Sequence, residues 1–95
     1  MTVYAMAQLS VHDRERYASY AARFMDVLTR YDGRLLAADE QPEVIEGDWP
    51  HDKVVLISFA DRDAFEKWAY SPEYQEISKD RVAATTGVVI LAKGL

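Results

Sequence analysis

Glu46 and Trp49 form the first pattern in this sequence that could do chemistry. Glu46 closes a predicted piece of strand and Trp49 follows in a loop, from which side chains can reach a cleft beside a sheet. A carboxylate held against an indole loses contact with water, and this desolvation raises the pKa of the carboxyl group. Glu46 is therefore a candidate general base. The alternative is structural: Glu46 is a partly exposed strand residue, and Trp49 packs as core over the end of the sheet.

An aromatic stripe on the first predicted helix offers a second candidate site. Its members are Tyr17, Tyr20, Phe24 and Tyr31. Helical spacing of this kind is typical of a core-facing side, but a buried tyrosine hydroxyl needs a hydrogen-bond partner. A tyrosine such as Tyr20 could therefore face a polar pocket between helix and sheet, with Arg34 or Arg81 supplying charge. Arg81 also has a structural interpretation, because a cation near a helix C-terminus is favoured by the helix dipole.

Other familiar catalytic motifs are missing from the sequence. There is no Cys, which excludes disulfides, thiolate nucleophiles and zinc–thiolate sites. His12 and His51 lie in predicted turns, and Ser71 is interpreted as a helix cap. The chain has no phosphate loop, dinucleotide fingerprint or His-x-x-x-His pair, and its acidic residues lack EF-hand spacing. We therefore expect no metal and no cofactor, including haem and flavin.

Charge and hydropathy limit the partners. The net charge of -5, with no cluster of Lys or Arg, disfavours nucleic acid and anionic membrane surfaces. No apolar run approaches the roughly 20 residues that span a bilayer, and no basic leader precedes the first strand. These features predict a cytoplasmic protein.

The order of the elements predicts the fold. The predicted elements are a strand over 3–10, a helix from the Asp13 cap to Asp32-Gly33, strand pieces over 34–38 and 43–46, a strand over 53–59, a helix capped by Asp61, a further turn or two after Ser71-Pro72, and a strand over 86–93. This order indicates an α+β, ferredoxin-like βαββαβ fold, with an antiparallel sheet and its helices on one face. We expect residues 1–95 to form a single domain.

Two strands predict how the protein assembles. The runs over 54–59 and 88–92 are apolar on both faces of the sheet, although the helices cover only one. If about eight apolar side chains on the other face stay exposed to water, the protein forgoes a free energy of burial on the order of 10 kcal/mol. This is comparable to the whole stability of a domain. We therefore expect a homodimer that pairs sheet to sheet through a two-fold axis, forming a dimeric α/β barrel.

Four stretches also carry a resemblance to a known family. They are Gly33-Arg34-Leu35-Leu36, Glu46-Gly47-Asp48-Trp49-Pro50, Val54-Val55-Leu56-Ile57-Ser58-Phe59 and Trp68-Ala69-Tyr70-Ser71-Pro72-Glu73-Tyr74-Gln75. In this order, over nearly the whole chain, they resemble the domain-of-unknown-function family DUF1330. The resemblance implies a ferredoxin-like subunit of the dimeric α/β-barrel proteins, and it implies no activity. Wider relatives of that fold include cofactor-independent monooxygenases, muconolactone isomerases and haem-binding dismutases, but fold alone transfers none of these functions.

Two hypotheses of function remain open from the sequence. In the first, the dimer binds a small organic metabolite, with proton transfer by Glu46 and orientation by Tyr20, Trp49 and Arg81. In the second, the protein is a non-catalytic, ligand-sequestering or interaction module whose pocket is filled by its own side chains. Whether the protein is an enzyme stays open, and the presence or absence of a cavity discriminates between the two.

Overall fold

The chain forms four strands and three helices, and the computed structural model describes all residues from 1 to 95. The elements are β1 (Val3–Val11), α1 (Arg14–Arg30), β2 (Arg34–Asp39), β3 (Lys53–Phe59), α2 (Arg62–Ala69), α3 (Pro72–Ala84) and β4 (Thr85–Lys93). The order agrees with the prediction. Helix α3 is longer than the predicted turn or two, because Tyr74, Ile77 and Ala84 are buried along it and tertiary packing extends the helix.

The strands form one antiparallel sheet in the order β2-β3-β1-β4. Strand β1 lies in the centre, with β3 and β4 on either side, and β2 extends the sheet beyond β3. The helices lie on one face. This arrangement confirms the predicted ferredoxin-like βαββαβ fold.

The three predicted helix caps are all present. The side chains of Asp13, Asp61 and Ser71 accept hydrogen bonds from the backbone N–H groups three residues later, at 3.1, 2.8 and 3.0 Å. Each bond satisfies an N–H that the helix cannot pair internally. Ser71 also donates to the Trp68 carbonyl oxygen at 2.8 Å, so its hydroxyl joins the end of α2 to the start of α3.

Ser71→Ala is expected to lower the free energy of unfolding by about 1–2 kcal/mol, because the change removes a buried cap and its second hydrogen bond. Urea denaturation at fixed protein concentration measures the loss. Ser19→Ala is the matched control, since Ser19 is exposed on α1 and should lose nothing. Equal stability of Ser71→Ala and the wild type would show that the cap contributes nothing.

Helix α1 ends in a left-handed residue that is not a glycine. The left-handed residue is Asp32, with φ of 62°, and not Gly33. The N–H groups of Asp32 and Gly33 donate to the carbonyl oxygens of Thr29 and Leu28 at 3.2 and 3.0 Å, the paired bonds of a Schellman motif. Gly33 is needed for space, because a Cβ there would lie 2.8 Å from a ring carbon of Phe59 and 2.9 Å from Cγ of Leu28.

The second predicted piece of strand, residues 43–46, is wrong. Strand β2 ends at Asp39, and the chain from 40 to 52 forms an irregular connection to β3. Val44 and Ile45 are exposed in this connection, and Ile45 is 84% accessible. The apolar pair resembles a strand, but β3 begins at Lys53, one residue beyond the pairing of Asp39 with Val54, so the chain after residue 40 has no β3 residue left to pair with.

One face of the sheet packs against the helices and the other does not. Val3, Ala5 and Leu9 of β1 point toward the helices and are buried in the core. The alternate residues point to the opposite side, which we call the open face. It carries two rows across the sheet, Leu56–Met6–Ile90 and Val54–Gln8–Val88, given by the strand register. Apolar side chains on both faces were predicted, and no helix of the same chain covers the open face.

Candidate functional site

A cavity of about 340 Å³ lies between the helices and the covered face of the sheet. Seventeen of its nineteen lining residues are hydrophobic, and they come from all three helices and all four strands. Phe24 and Trp68 belong to the wall but do not fill the space. The volume falls in the range of small-molecule sites, roughly 300–1,000 Å³. The hypothesis that the chain packs its own pocket shut is therefore not what the structure shows.

A small polar group interrupts the apolar wall. The hydroxyls of Tyr20 and Tyr74 are 2.9 Å apart and form a buried hydrogen bond between α1 and α3. The guanidinium of Arg81 and the side chain of Tyr17 also line the cavity. Tyr74 and Arg81 are seven residues apart on α3, which places them two turns apart on one helix face. The structure thus brings together Tyr20 and Arg81, which the sequence proposed as ligand-binding residues.

Two buried N–H groups on cavity-lining side chains have no hydrogen-bond acceptor. They are Nε1 of Trp68 and Nε of Arg81. Burying a polar group without a partner costs free energy, and native proteins leave few such groups. Each of these two nitrogen atoms has almost no accessible surface, so neither one faces the open space of the cavity.

The titration behaviour of these groups fixes their charges. Burial raises the pKa of Tyr20 well above its ordinary value, and the adjacent Tyr74 raises it further. Burial likewise raises the pKa of Tyr17, and the nearby Arg81 offsets this only in part. Burial alone would lower the pKa of Arg81, but the adjacent Tyr74, Tyr20 and Tyr17 reverse the effect and leave it raised. Tyr17 and Tyr20 are therefore neutral donors, and Arg81 is a cation, throughout the physiological pH range.

The structure does not bring Glu46 and Trp49 into this site. Glu46 is exposed in the 40–52 connection and does not line the cavity. It makes no ion pair and no side-chain hydrogen bond. Trp49 donates through Nε1 to Oε1 of Gln8 at 2.8 Å and packs edge-on against His51. Because Gln8 belongs to the open face, Trp49 lies on the opposite side of the sheet from Tyr20 and Arg81. Neither Glu46 nor Trp49 lines this cavity.

Sequence reasoning missed three residues of the site. Tyr74, Trp68 and Lys53 all line the cavity, and none of them was proposed from the sequence as a ligand-binding residue. A signal for Tyr74 existed in its seven-residue spacing from Arg81. For Lys53 no local signal existed, because its contact with the Tyr17 ring joins residues that are far apart in the chain.

The structure contains neither a metal-binding group of side chains nor a helix that could span a membrane. No group of His, Asp and Glu side chains is arranged to hold a metal ion. None of the helices combines the length and apolar composition needed to cross a bilayer.

This chain is similar to known proteins in both sequence and fold. A family model for a domain of unknown function, DUF1330, matches residues 2–95. The protein belongs to the DUF1330 family. This confirms the family that the sequence motifs indicated. Among proteins with curated descriptions, none matches this DUF1330 chain.

Solved structures similar to the DUF1330 chain share its fold. A protein of unknown function from Rhodopseudomonas palustris is 20% identical with a TM-score of 0.84, covering 99% of this chain and 82% of its own. A dimeric ferredoxin-like protein of unknown function from Jannaschia sp. is 16% identical with a TM-score of 0.80, covering 99% and 100%. SnoaB from Streptomyces nogalater, a cofactor-independent oxygenase, is 18% identical with a TM-score of 0.73, covering 99% and 93%.

Proposed function

We propose that this protein binds a small, largely apolar organic molecule that carries an anionic group, in the cavity between helices and sheet. The observation that carries the proposal is the Arg81 cation, which makes no ion pair and lines an otherwise apolar cavity. A carboxylate or enolate oxygen would accept hydrogen bonds from the guanidinium and neutralise its charge. The apolar remainder of the ligand would contact side chains such as Phe24 and Phe65.

A cofactor-independent reaction on the bound molecule is the second candidate function. The observation that favours it is the placement of the Arg81 cation beside neutral tyrosine donors, since such groups stabilise negative charge that develops on a ligand. The structural similarity to SnoaB, an oxygenase without cofactor, is compatible with this chemistry. No carboxylate or imidazole lines the cavity, so this chain supplies the charge-stabilising half of the reaction and no internal base. Glu46 and Trp49 are left out of the proposed site.

We further propose that two copies pair through the open face. Ile90 and Val88 are each 48% accessible there, with Met6, Leu56 and Val54 beside them. A two-fold contact would bury every one of these side chains against the same surface of a second copy. Dimeric ferredoxin-like proteins from Jannaschia sp. and Thermobifida fusca are among the similar structures, which supports self-association of this kind.

Binding of 2-naphthoate tests the ligand proposal. Wild-type protein should bind it with quenching of tryptophan fluorescence, and the neutral analogue 2-naphthalenemethanol should bind more weakly. Arg81→Met is expected to weaken naphthoate binding by about 10- to 100-fold, because it removes a charge-assisted hydrogen bond worth roughly 1.5–3 kcal/mol. Isothermal titration calorimetry at low salt measures both affinities.

The matched control is Arg23→Met, an exposed arginine of α1 that makes no ion pair. It changes the net charge equally and should leave the affinity unchanged, as should Glu46→Gln. Equal affinity of Arg81→Met and the wild type would contradict the proposal. So would a failure of both naphthalene probes to bind, which would favour a non-catalytic interaction module instead.

A further inference from the structure

A second hollow adjoins the cavity. It has a volume of about 260 Å³ and shares Tyr17, Ala21 and Lys53 with the wall of the first. We call it the vestibule. Arg14 and Glu40 complete its charged lining. Three residues border both spaces, so the two hollows adjoin, and a path between them passes these residues.

Positive charge is in excess along this path. The cavity contains Arg81 and Lys53 without any carboxylate, and the vestibule adds Arg14 and the single carboxylate of Glu40. Arg14 makes no ion pair with any other residue. The chain as a whole has a net charge of -5, so this local excess runs against the protein's overall balance.

Lys53 is a largely buried cation with little compensation for its burial. Its side chain is 16% accessible, whereas that of Glu40, its only carboxylate partner, is 71% accessible. Their closest atoms, Nζ and Oε1, are 3.8 Å apart, a long contact without a hydrogen bond. The ammonium also lies 4.9 Å from the centre of the Tyr17 ring. A buried charge usually has a close, hydrogen-bonded partner, and an exposed long pair contributes little.

We propose that the ligand is a dianion with an apolar body, of the α,ω-dicarboxylate class. This inference rests on the proposed function and adds a second anchor to it. One carboxylate lies against Arg81 in the cavity, and the other lies against Lys53 at the border with the vestibule. Lys53 then exchanges the exposed carboxylate of Glu40 for the ligand's own. The methylene chain between the two anions occupies the apolar wall.

Paired acids of equal length test the second anchor. Octanoate and suberate differ only in the terminal group, which is methyl in one and carboxylate in the other. Without a cation to receive it, the second carboxylate of suberate would have to enter an apolar wall and weaken binding. With Lys53 in place, suberate is expected to bind about tenfold more tightly than octanoate at low salt, and isothermal titration calorimetry measures the ratio.

Two variants assign the effect to its residues. Lys53→Met keeps most of the aliphatic volume and should reverse the preference, so that octanoate binds more tightly than suberate. Glu40→Gln removes the competing carboxylate and should strengthen suberate binding severalfold. Lys67→Met, an exposed lysine without an ion pair, is the control and should preserve the wild-type ratio.

The outcomes separate this inference from the proposed function. If the wild type binds octanoate but binds suberate more weakly, the cavity takes an anion and the second anchor is disproved. If Lys53→Met retains the preference for suberate, the assignment to Lys53 is wrong. If neither octanoate nor 2-naphthoate binds, the proposed function itself fails and this inference fails with it.

Discussion

Replacing Ile90 with aspartate is expected to convert the protein from a dimer to a monomer at micromolar concentration. Ile90 lies in the row Leu56–Met6–Ile90 on the open face, where the proposed two-fold contact buries it in both copies. Each copy would then place an unpaired carboxylate in an apolar interface, at a cost on the order of 3 kcal/mol per copy. The two sites together should raise the dissociation constant at least a thousandfold. Sedimentation equilibrium over a range of protein concentrations measures it.

A matched substitution elsewhere separates the interface from a general effect of charge. Val82 is an exposed apolar residue of α3, an element of the helical layer on the other side of the molecule. Val82→Asp adds the same carboxylate and should leave the dissociation constant unchanged. Circular dichroism confirms that both variants are folded. If Ile90→Asp dimerises as tightly as the wild type, the copies pair through another surface.

Leu28→Ala is expected to lower the free energy of unfolding by about 4 kcal/mol, because truncating a fully buried leucine leaves a cavity that the surroundings fill only partly. Leu28 has no accessible surface and packs where α1 turns into β2. Urea denaturation at one fixed protein concentration measures the loss, since dimerisation would couple stability to concentration. Val82→Ala, on the exposed side of α3, should change stability by no more than about 0.5 kcal/mol.

The same site predicts a non-additive pair. Gly33→Ala alone should cost about 1–3 kcal/mol, because the added Cβ meets Leu28 and Phe59 in a packed core. In Leu28→Ala/Gly33→Ala the truncated leucine makes room for that Cβ. The double variant should therefore lose less than the sum of the two single losses. Strict additivity would show that Gly33 is not held by this contact.

Local patterns were sufficient for most of the backbone. The caps at Asp13, Asp61 and Ser71 act within one helical turn, so residue type and spacing identified them. Strand β3 was predicted at its observed bounds, because its apolar run and flanking turn residues are local signals. Residues 43–46 failed for the opposite reason: a strand exists only where another strand offers its edge, and the sequence of a segment does not show that.

Two of the four site residues predicted from the sequence line the cavity. Tyr20 and Arg81 were proposed from residue type and helical position, and they do line the cavity. Glu46 and Trp49 were proposed because side chains at a strand end and in the following loop can reach a cleft beside a sheet. The side of the sheet on which Trp49 lies is decided by its hydrogen bond to Gln8, a contact between residues 41 positions apart.

The amino-acid sequence alone determined the order of the elements, the family and the apolar character of both sheet faces, because these follow from short-range periodicity and composition. Only the tertiary structure decided that helices and sheet leave a cavity between them, that Arg81 lines it without an ion pair, and that Lys53 lies beside it. The physical reason is that a cavity forms where elements distant in the sequence pack together without filling the space between them. Its existence depends on how far apart the packed layers stand, which no local pattern of residues encodes.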